Sequence, residues 1–495
     1  MCGGTLVSDR PHEECGVFGI RAPGEDVARI AFFGIFALQH RGQESAGIAV
    51  SAGRTIAVHK AMGLVTQVFD ERTIGSLKGD AAIGHTRYST TGSSDLCNAQ
   101  PVVCHTDYGD IALAHNGNLI NSAELKSQLT TAGVQFTSTN DSEVIAQLLA
   151  CLHKGDIAET VREAMPRLQG AYSLTVLAGD TLVGVRDPYG VRPLCLGQIS
   201  GVPCVIASET CALKPTGATY MREVQPGEIY VIGPGEASNT LPPDPAHHAT
   251  CLFEFIYFAR PDSKIYDKRL QLVRKRMGSA LAQQHPAPRE NAIVIPVPDT
   301  SIPAALGYAE SSGIPYSEGI IKNRYIQRTF IQPSPYMRDQ GAMMKYTPIP
   351  EVIEGKSIVM VDDSIVRGTT TGKLVKLLFE TGAKEVHVRI TAPPVRFPCY
   401  YGIDMANQDE LIAARNTVEE IRQAIGATSL GYLSLQGAVD AVGLNRDKFC
   451  RACFDGKYPL AIPQDIKLSK MMLTPPPASD EDVDEDAETP AHAAV

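Results

Sequence analysis

The hydrophobic pattern changes character about half-way along the chain. Residues 16–20, 47–51, 56–60, 81–85, 111–115 and 172–177 are short β-type runs. Two helical patterns interrupt them, 143–153 and 157–167, with apolar residues three and four apart, as at Val144, Leu148 and Leu149. Strands gathered with few helices between them predict a sandwich of sheets and helices. The Pro-rich stretch 241–250 then marks a domain boundary. Beyond it the pattern alternates, with strands at 292–296, 356–361 and 385–391 and helices at 301–309 and 371–380. That order predicts a parallel sheet with ligand chemistry at the C-terminal ends of its strands. Residues 474–495 are Pro, Asp, Glu and Ala without periodicity, a composition that predicts disorder.

The alternating half is organised around Lys356-Ser-Ile-Val-Met-Val-Asp-Asp-Ser-Ile-Val-Arg-Gly-Thr-Thr-Thr-Gly-Lys373. An uncharged run ending at Val361 reads as a buried strand, and Leu374, Leu377 and Leu378 recur at helical spacing. The loop from Ser364 to Thr371 therefore sits before a helix N-terminus, where free amides and the helix dipole favour an anion. Asp362 and Asp363 are placed to accept hydrogen bonds from vicinal hydroxyls or to help hold a hydrated Mg²⁺. Phosphate on one side and a diol on the other describe a ribose 5-phosphate. The plainer reading, an Asp-Asp-Ser helix cap, uses the same residue types. A nucleotide-triphosphate P-loop is not supported, because the Gly-x-x-x-x-Gly-Lys spacing is absent. The string resembles the phosphoribosyl pyrophosphate loop of the type I phosphoribosyltransferases. The resemblance implies that Asp362, Asp363, Ser364, Arg367, Gly368, Thr369 and Thr370 bind the substrate. Pro298-Asp-Thr-Ser301 is similar to the pyrophosphate loop of that family, with Thr300 at the position that contacts Mg²⁺. Lys322-Asn-Arg-Tyr-Ile-Gln-Arg-Thr-Phe-Ile-Gln332 resembles its flexible loop, and the Lys and Arg there suit a leaving pyrophosphate.

Four stretches of the first half carry chemistry: Cys15-Gly-Val-Phe-Gly-Ile20, His40-Arg-Gly-Gln-Glu-Ser45, His85-Thr-Arg-Tyr-Ser-Thr90 and His115-Asn-Gly-Asn-Leu119, followed by Asn140-Asp-Ser-Glu143. One at a time they say little, since a buried Cys is ordinarily a small apolar residue and Asn-Gly makes turns. In this order they resemble the glutaminase domain of the N-terminal-nucleophile amidotransferases. Hydrolysis of a side-chain amide needs a nucleophile, a base, an oxyanion hole and a handle for the amino acid's own charges. An N-terminal Cys supplies the first two, because its free α-amine has a pKa near 8. The resemblance implies Cys15 as nucleophile, Asn116 and Gly117 as oxyanion hole, Arg87 on the α-carboxylate of glutamine and Asp141 on its α-ammonium. Residues 1–14 are then expected to be a propeptide. Cys2 is the rival nucleophile, but it lacks the Gly-Val-Phe-Gly-Ile strand behind it.

Cys450-Arg-Ala-Cys453 is a C-x-x-C usable for zinc, an iron-sulfur cluster or redox work. Together with Gly456-Lys-Tyr-Pro459, Cys251-Leu-Phe-Glu-Phe-Ile-Tyr-Phe258 and Pro398-Cys-Tyr400 it resembles the cluster-bearing branch of the glutamine phosphoribosyl pyrophosphate amidotransferases. That implies a structural 4Fe-4S cluster on Cys251, Cys399, Cys450 and Cys453. Some relatives carry a third tail cysteine where this chain has Lys448-Phe449, which leaves the ligand pairing open.

The family implies an α+β glutaminase sandwich over 15–250, then an α/β type I phosphoribosyltransferase domain over 251–473. It implies a glutamine-dependent amination of phosphoribosyl pyrophosphate at the start of purine synthesis, feedback by purine nucleotides, and a homo-oligomer, a tetramer by resemblance. Two other readings stay open. A relative that aminates a hexose phosphate needs a sugar-isomerase domain in place of the Asp362-Asp363 loop, and a regulator without activity tolerates loss of Cys15 or Arg87. Composition adds limits. A chain of 495 residues holds two or three domains. The net charge of -10, without a basic block, argues against nucleic acid. No apolar run spans a bilayer and the first residues lack signal-peptide regions, so a cytoplasmic protein with reduced cysteines is expected.

Overall fold

The computed structural model describes residues 15–88, 93–235, 237–242, 248–323, 346–405, 408–463 and 473. Residues 1–14 with Cys2, expected to be a propeptide, most of the basic stretch 322–332 and the acidic tail 474–495 lie outside the described residues.

Two antiparallel sheets form the first half. One has seven strands: β1 (Gly16–Arg21), β2 (Ser45–Ala52), β3 (Thr55–Met62), β4 (Ala81–Arg87), β9 (Cys195–Ile199), β10 (Val202–Ala207) and β11 (Thr219–Glu223), in the order β11-β9-β10-β1-β4-β2-β3. The other has six: β5 (Val102–Thr106), β6 (Gly109–Leu119), β7 (Gly170–Ala178), β8 (Thr181–Arg186), β12 (Ile229–Ile232) and β13 (Ser238–Thr240), in the order β13-β12-β8-β7-β6-β5. Alternation along β1 shows how the layers are built. Val17 faces the core between the sheets with Ile83, Ala114 and Leu177, whereas Phe18 and Ile20 face the layer of the helix Val27–Ala37. Because both faces of such strands are covered, they read as continuous apolar runs. The second sheet is covered by Asp141–Leu152 and Ile157–Ala164, through Val144, Leu148 and Val161.

The two expected helices are therefore joined by others. Val27–Ala37 (Val-Ala-Arg-Ile-Ala-Phe-Phe-Gly-Ile-Phe-Ala) is apolar almost all round, so it has no stripe to recognise, although the Asp26 carboxylate accepts from the Arg29 amide at its start. Ser122–Thr131 adds a further helix, and β5 and β8 to β13 complete the sheets.

The second half holds a four-stranded parallel sheet, Ala292–Pro296, Ser357–Asp362, Glu385–Ile390 and Ser429–Tyr432, adjacent in chain order. The last strand and the helix Leu270–Gln284 are additions to the expected set, the helix legible afterwards in Leu270, Val273, Met277 and Leu281. That helix meets Ile302–Ser312 through two glycines. A Cβ at Gly278 would sit 1.8 Å from the Ala304 carbonyl oxygen, and one at Gly307 1.9 Å from that of Lys275. The segment that links the halves is tied to the second half. Thr250–Cys251 pairs in parallel with Phe449–Cys450, and the buried π-helix Glu254–Phe258 follows. The buried Arg274 holds this segment by donating to the carbonyls of Phe255, Tyr257 and Ala259. Among the described residues no helix is long and apolar enough to cross a membrane.

The paired glycines give a stability prediction. Gly278→Ala forces the two helices apart and is expected to cost on the order of 1–3 kcal/mol, as overpacking does. Thermal unfolding followed by circular dichroism reads it, and an unchanged midpoint would refute the contact.

Candidate active sites

Cys15 stands at the head of β1, the strand between β10 and β4. Its thiol donates to the Tyr88 carbonyl at 3.4 Å, and its own carbonyl accepts from Arg41 Nε at 3.1 Å. Burial pushes the thiol up to about 11, against the pull of Arg87 and with Glu44 and Asp141 adding to the rise. Cys15 therefore feels Arg87 and Asp141, both named from the sequence. Arg87 closes β4, is buried, and lies 3.6 Å from Glu44. Asp141 opens the helix Asp141–Leu152 because Asn140 caps it, accepting from the Glu143 amide at 2.8 Å. The Asp141 carboxylate accepts from the Leu119 amide at 3.0 Å and lies 3.8 Å from His115 Nδ1, which ties it to β6. Between those two β6 contacts sit Asn116 and Gly117. Asn116 is buried and its Nδ2 has no acceptor among the described residues. Gly117 has φ of +152°, and a Cβ there would lie 2.0 Å from the Ala171 oxygen, so only glycine fits. The two sheets are stitched at this level by the buried His85, whose Nε2 meets the His115 carbonyl oxygen at 3.1 Å. Burial holds His85 down to about 3, so the ring is neutral and Nε2 carries the donated proton.

Sequence reasoning singled out the string around Arg41 and gave Arg41 no role. The guanidinium is buried between Glu209 and Glu254, with hydrogen bonds of 2.6 Å to each. Glu209 also accepts from Ser263 Oγ at 2.7 Å, the Arg260 amide at 2.9 Å and, at 2.7 Å, His40. The readable signal was Glu254 itself, one charge in an apolar run, which must find a buried cation. His40, Glu209 and Cys211 bring ligand atoms within 4.8 Å of one another. Glu209 is already occupied by hydrogen bonds there, and the adjacent Arg41 charge opposes a metal cation.

The residues expected to form the phosphate loop assemble at the parallel sheet's C-terminal edge. Asp362 ends its strand, and Ser301 Oγ donates to it at 3.1 Å, joining the two loops read from sequence. The Asp363 amide also donates to Asp362, and Ser364 Oγ donates to Asp363 at 2.7 Å. Asp362, Asp363 and Ser364 are all buried. Gly368 caps the helix Thr369–Glu380, which begins with Thr369 and Thr370. Arg367 departs from expectation in one respect, since it is paired with Glu410. Thr300 lies beside Asp299, whose carboxylate meets Lys322 Nζ at 2.6 Å. Two adjacent buried carboxylates, held by hydroxyl and amide donors, fit a hydrated divalent cation.

Cys251, Cys399, Cys450 and Cys453 are brought together. Cys251 and Cys450 are opposite each other in the parallel pair, and the Cys453 carbonyl accepts from the Arg396 and Phe397 amides. Burial raises Cys251 to about 11 and raises Cys450 and Cys453 further, with neighbouring thiols contributing in each case. Three buried thiols whose ionisation is opposed by burial and by their cysteine neighbours fit a bound metal group that stabilises thiolates. A zinc tetrahedron with bonds of about 2.3 Å would hold its sulfurs within roughly 4 Å of one another. Among the described residues the only triad inside 4.8 Å is the one at His40, so these thiols are set wider than zinc requires.

Residues 85–215 match the glutamine amidotransferase domain family. The amidophosphoribosyltransferase of Synechococcus elongatus is 51% identical over 470 residues, covering 94% of this chain and 95% of its own. That of Methanocaldococcus jannaschii is 48% identical over 466 residues, covering 90% and 98%. The chain belongs to the amidophosphoribosyltransferase family. Membership makes it a glutamine-dependent glycosyltransferase of the first step of purine biosynthesis. The solved glutamine phosphoribosylpyrophosphate amidotransferase of B. subtilis, complexed with ADP and GMP, superposes with a TM-score of 0.86 at 44% identity, covering 92% of this chain and 99% of that one. An amidophosphoribosyltransferase fold, glutaminase sandwich plus phosphoribosyltransferase domain, is thereby established.

The raised thiol pKa predicts how Cys15 reacts before any base is supplied to it. With residues 1–14 attached, alkylation of Cys15 by iodoacetamide should rise about tenfold per pH unit from pH 7 to 10, following the thiolate. Peptide mass spectrometry reads the rate, and a plateau below pH 9 would contradict the burial argument.

Proposed function

We propose that the chain couples glutamine hydrolysis at Cys15 to amination of phosphoribosyl pyrophosphate at the loop from Asp362 to Thr370. The observation that carries this is the buried Asn116 Nδ2, without an acceptor among the described residues, beside Gly117 on the strand that Asp141 holds at Leu119, while Asp141 and Arg87 act on Cys15. An oxyanion needs such a donor. Arg87 pairs with the glutamine α-carboxylate and Asp141 with its α-ammonium. The Cys15 sulfur attacks the side-chain amide carbon, and the oxygen that gains charge is met by Asn116 Nδ2 and the Gly117 amide. Removal of residues 1–14 frees the Cys15 α-amine, which takes the thiol proton and passes it to the departing ammonia. Water then releases glutamate. Ammonia displaces pyrophosphate from C1 of the ribose to give 5-phosphoribosylamine.

In the second site Asp362 and Asp363 accept from the ribose hydroxyls, while Ser364, Arg367, Gly368, Thr369 and Thr370 cradle the 5-phosphate. Thr300, Asp362 and Asp363 would hold Mg²⁺, which supplies charge neutralisation for the pyrophosphate. Cys251, Cys399, Cys450 and Cys453 would hold a 4Fe-4S cluster of structural purpose, since neither half-reaction moves electrons. The domains are taken as 15–250 and 251–473. Purine nucleotides, as in the B. subtilis complex with ADP and GMP, compete through their ribose 5-phosphate, and the protein works in the cytoplasm as a homo-oligomer.

Phosphoribosyl pyrophosphate-dependent glutamate release, by a form whose intact mass begins at Cys15, tests the whole reading. Cys15→Ala should abolish glutamine use and keep synthesis from added ammonia, whereas Asp362→Asn with Asp363→Asn should lose synthesis from either nitrogen source. Loss of both activities in folded Cys15→Ala would defeat the division between sites. Protein purified without oxygen should contain about four irons per chain. Zinc, or active colourless protein, would exclude the cluster.

A further inference from the structure

The turn Tyr400-Tyr401-Gly402 belongs by sequence to the phosphoribosyl half, yet it lies on the glutaminase strand β6. Asn118 Nδ2 donates to the Tyr400 carbonyl at 3.1 Å, and Arg192 Nε donates to the Tyr401 carbonyl at 2.8 Å. Gly402 has φ of +104°, and a Cβ there would stand 3.0 Å from the Gly117 carbonyl carbon, 3.1 Å from its oxygen and 3.2 Å from Arg192 Nη2. On its other side Gly117 faces the Ala171 carbonyl, where a Cβ would come within 2.0 Å. Gly117 is therefore held at its Cα by Ala171 of β7 and at its carbonyl by Gly402. The turn is itself held. The Tyr401 amide donates to Cys399 Sγ at 3.4 Å, the Cys399 amide donates to the Met405 carbonyl, and the buried Tyr401 hydroxyl accepts from the Leu460 amide at 3.1 Å.

We propose that Gly402 and Asn118 are positioning residues for glutamine hydrolysis. By seating against the Gly117 carbonyl, the 400–402 turn fixes the Gly117 Cα, to which the amide of the preceding peptide is joined, so that this amide, with Asn116, points at the developing oxyanion. This rests on the oxyanion assignment made above, and it places a determinant of the first site in the second half of the chain. An amide rotated away by a peptide with freedom to turn loses its worth in the transition state while substrate binding through Arg87 and Asp141 persists.

Gly402→Ala and Asn118→Ala test it separately. In each, kcat for glutamine-dependent synthesis should fall about tenfold or more, with the glutamine KM little changed and ammonia-dependent synthesis retained. Reaction of Cys15 with a diazoketone analogue of glutamine, which uses the oxyanion site, should slow in parallel, while alkylation by iodoacetamide keeps its rate. If Gly402→Ala does not fold, Asn118→Ala carries the test alone. Equal loss of both activities, or glutamine turnover like the parent protein in the folded variant, overturns the proposal. Asn116→Ala guards the premise, since unchanged glutamine turnover there would remove the oxyanion assignment itself and not only its support from Gly402.

Discussion

One buried cation ties the strand end at Cys15 to both halves of the chain. Arg41 is 1% exposed and takes two carboxylates, Glu209 and Glu254, from opposite halves of the chain, while its Nε holds the Cys15 carbonyl. Burial alone would drive its proton off, but the two anions outweigh that and raise its affinity for the proton. Glu209, equally buried, is shifted down, with His40 and Arg41 opposing the cost of its own burial. The sign follows. A carboxylate depressed below its ordinary range stabilises the fold above that range, and the contribution is lost only as acid titrates it, so the network is intact throughout neutral pH. Such a network adds little net stability over an apolar packing, yet losing one partner costs about 3–5 kcal/mol because charge is stranded. Its product is geometry.

The same economy governs the second site. Asp362 and Asp363 are carboxylates at the end of a parallel strand, and their orientation is set by Ser301, Ser364 and a backbone amide. Neither site takes its shape from a loop alone. Each rests on residues at the end of a strand, where the sheet fixes the backbone and a short polar contact fixes the side chain.

How much of this could be read from the chain follows from the reach of each signal. Period and turn chemistry are local, so the alternation of strand and helix after residue 290, with the strand, loop and helix around Asp362, was legible to within a few residues. Motif order singled out Cys15, Arg87 and Asp141, which act on one another, and Asn116 and Gly117, which lie on the strand that Asp141 holds. The helix Val27–Ala37 escaped because, Arg29 apart, it is apolar on every side and periodicity has little to contrast. Arg41, Glu254 and Gly402 escaped for another reason. Their partners are more than a hundred residues distant, and a single chain carries no local mark of which buried charge meets which, or of where a glycine is needed to let another strand approach.

The pairing of Cys251 with Cys450 has a consequence in time. Contacts between distant residues form late, and domains fold in the order in which they leave the ribosome. The sandwich can collapse while the rest of the chain is still being made, but the strand edge at Cys251 and the backbone at Gly117 wait for partners encoded near the end of the message. On the proposed bracing of Gly117 by the 400–402 turn, a nascent chain holds a folded but unbraced first site until the second half has been synthesised.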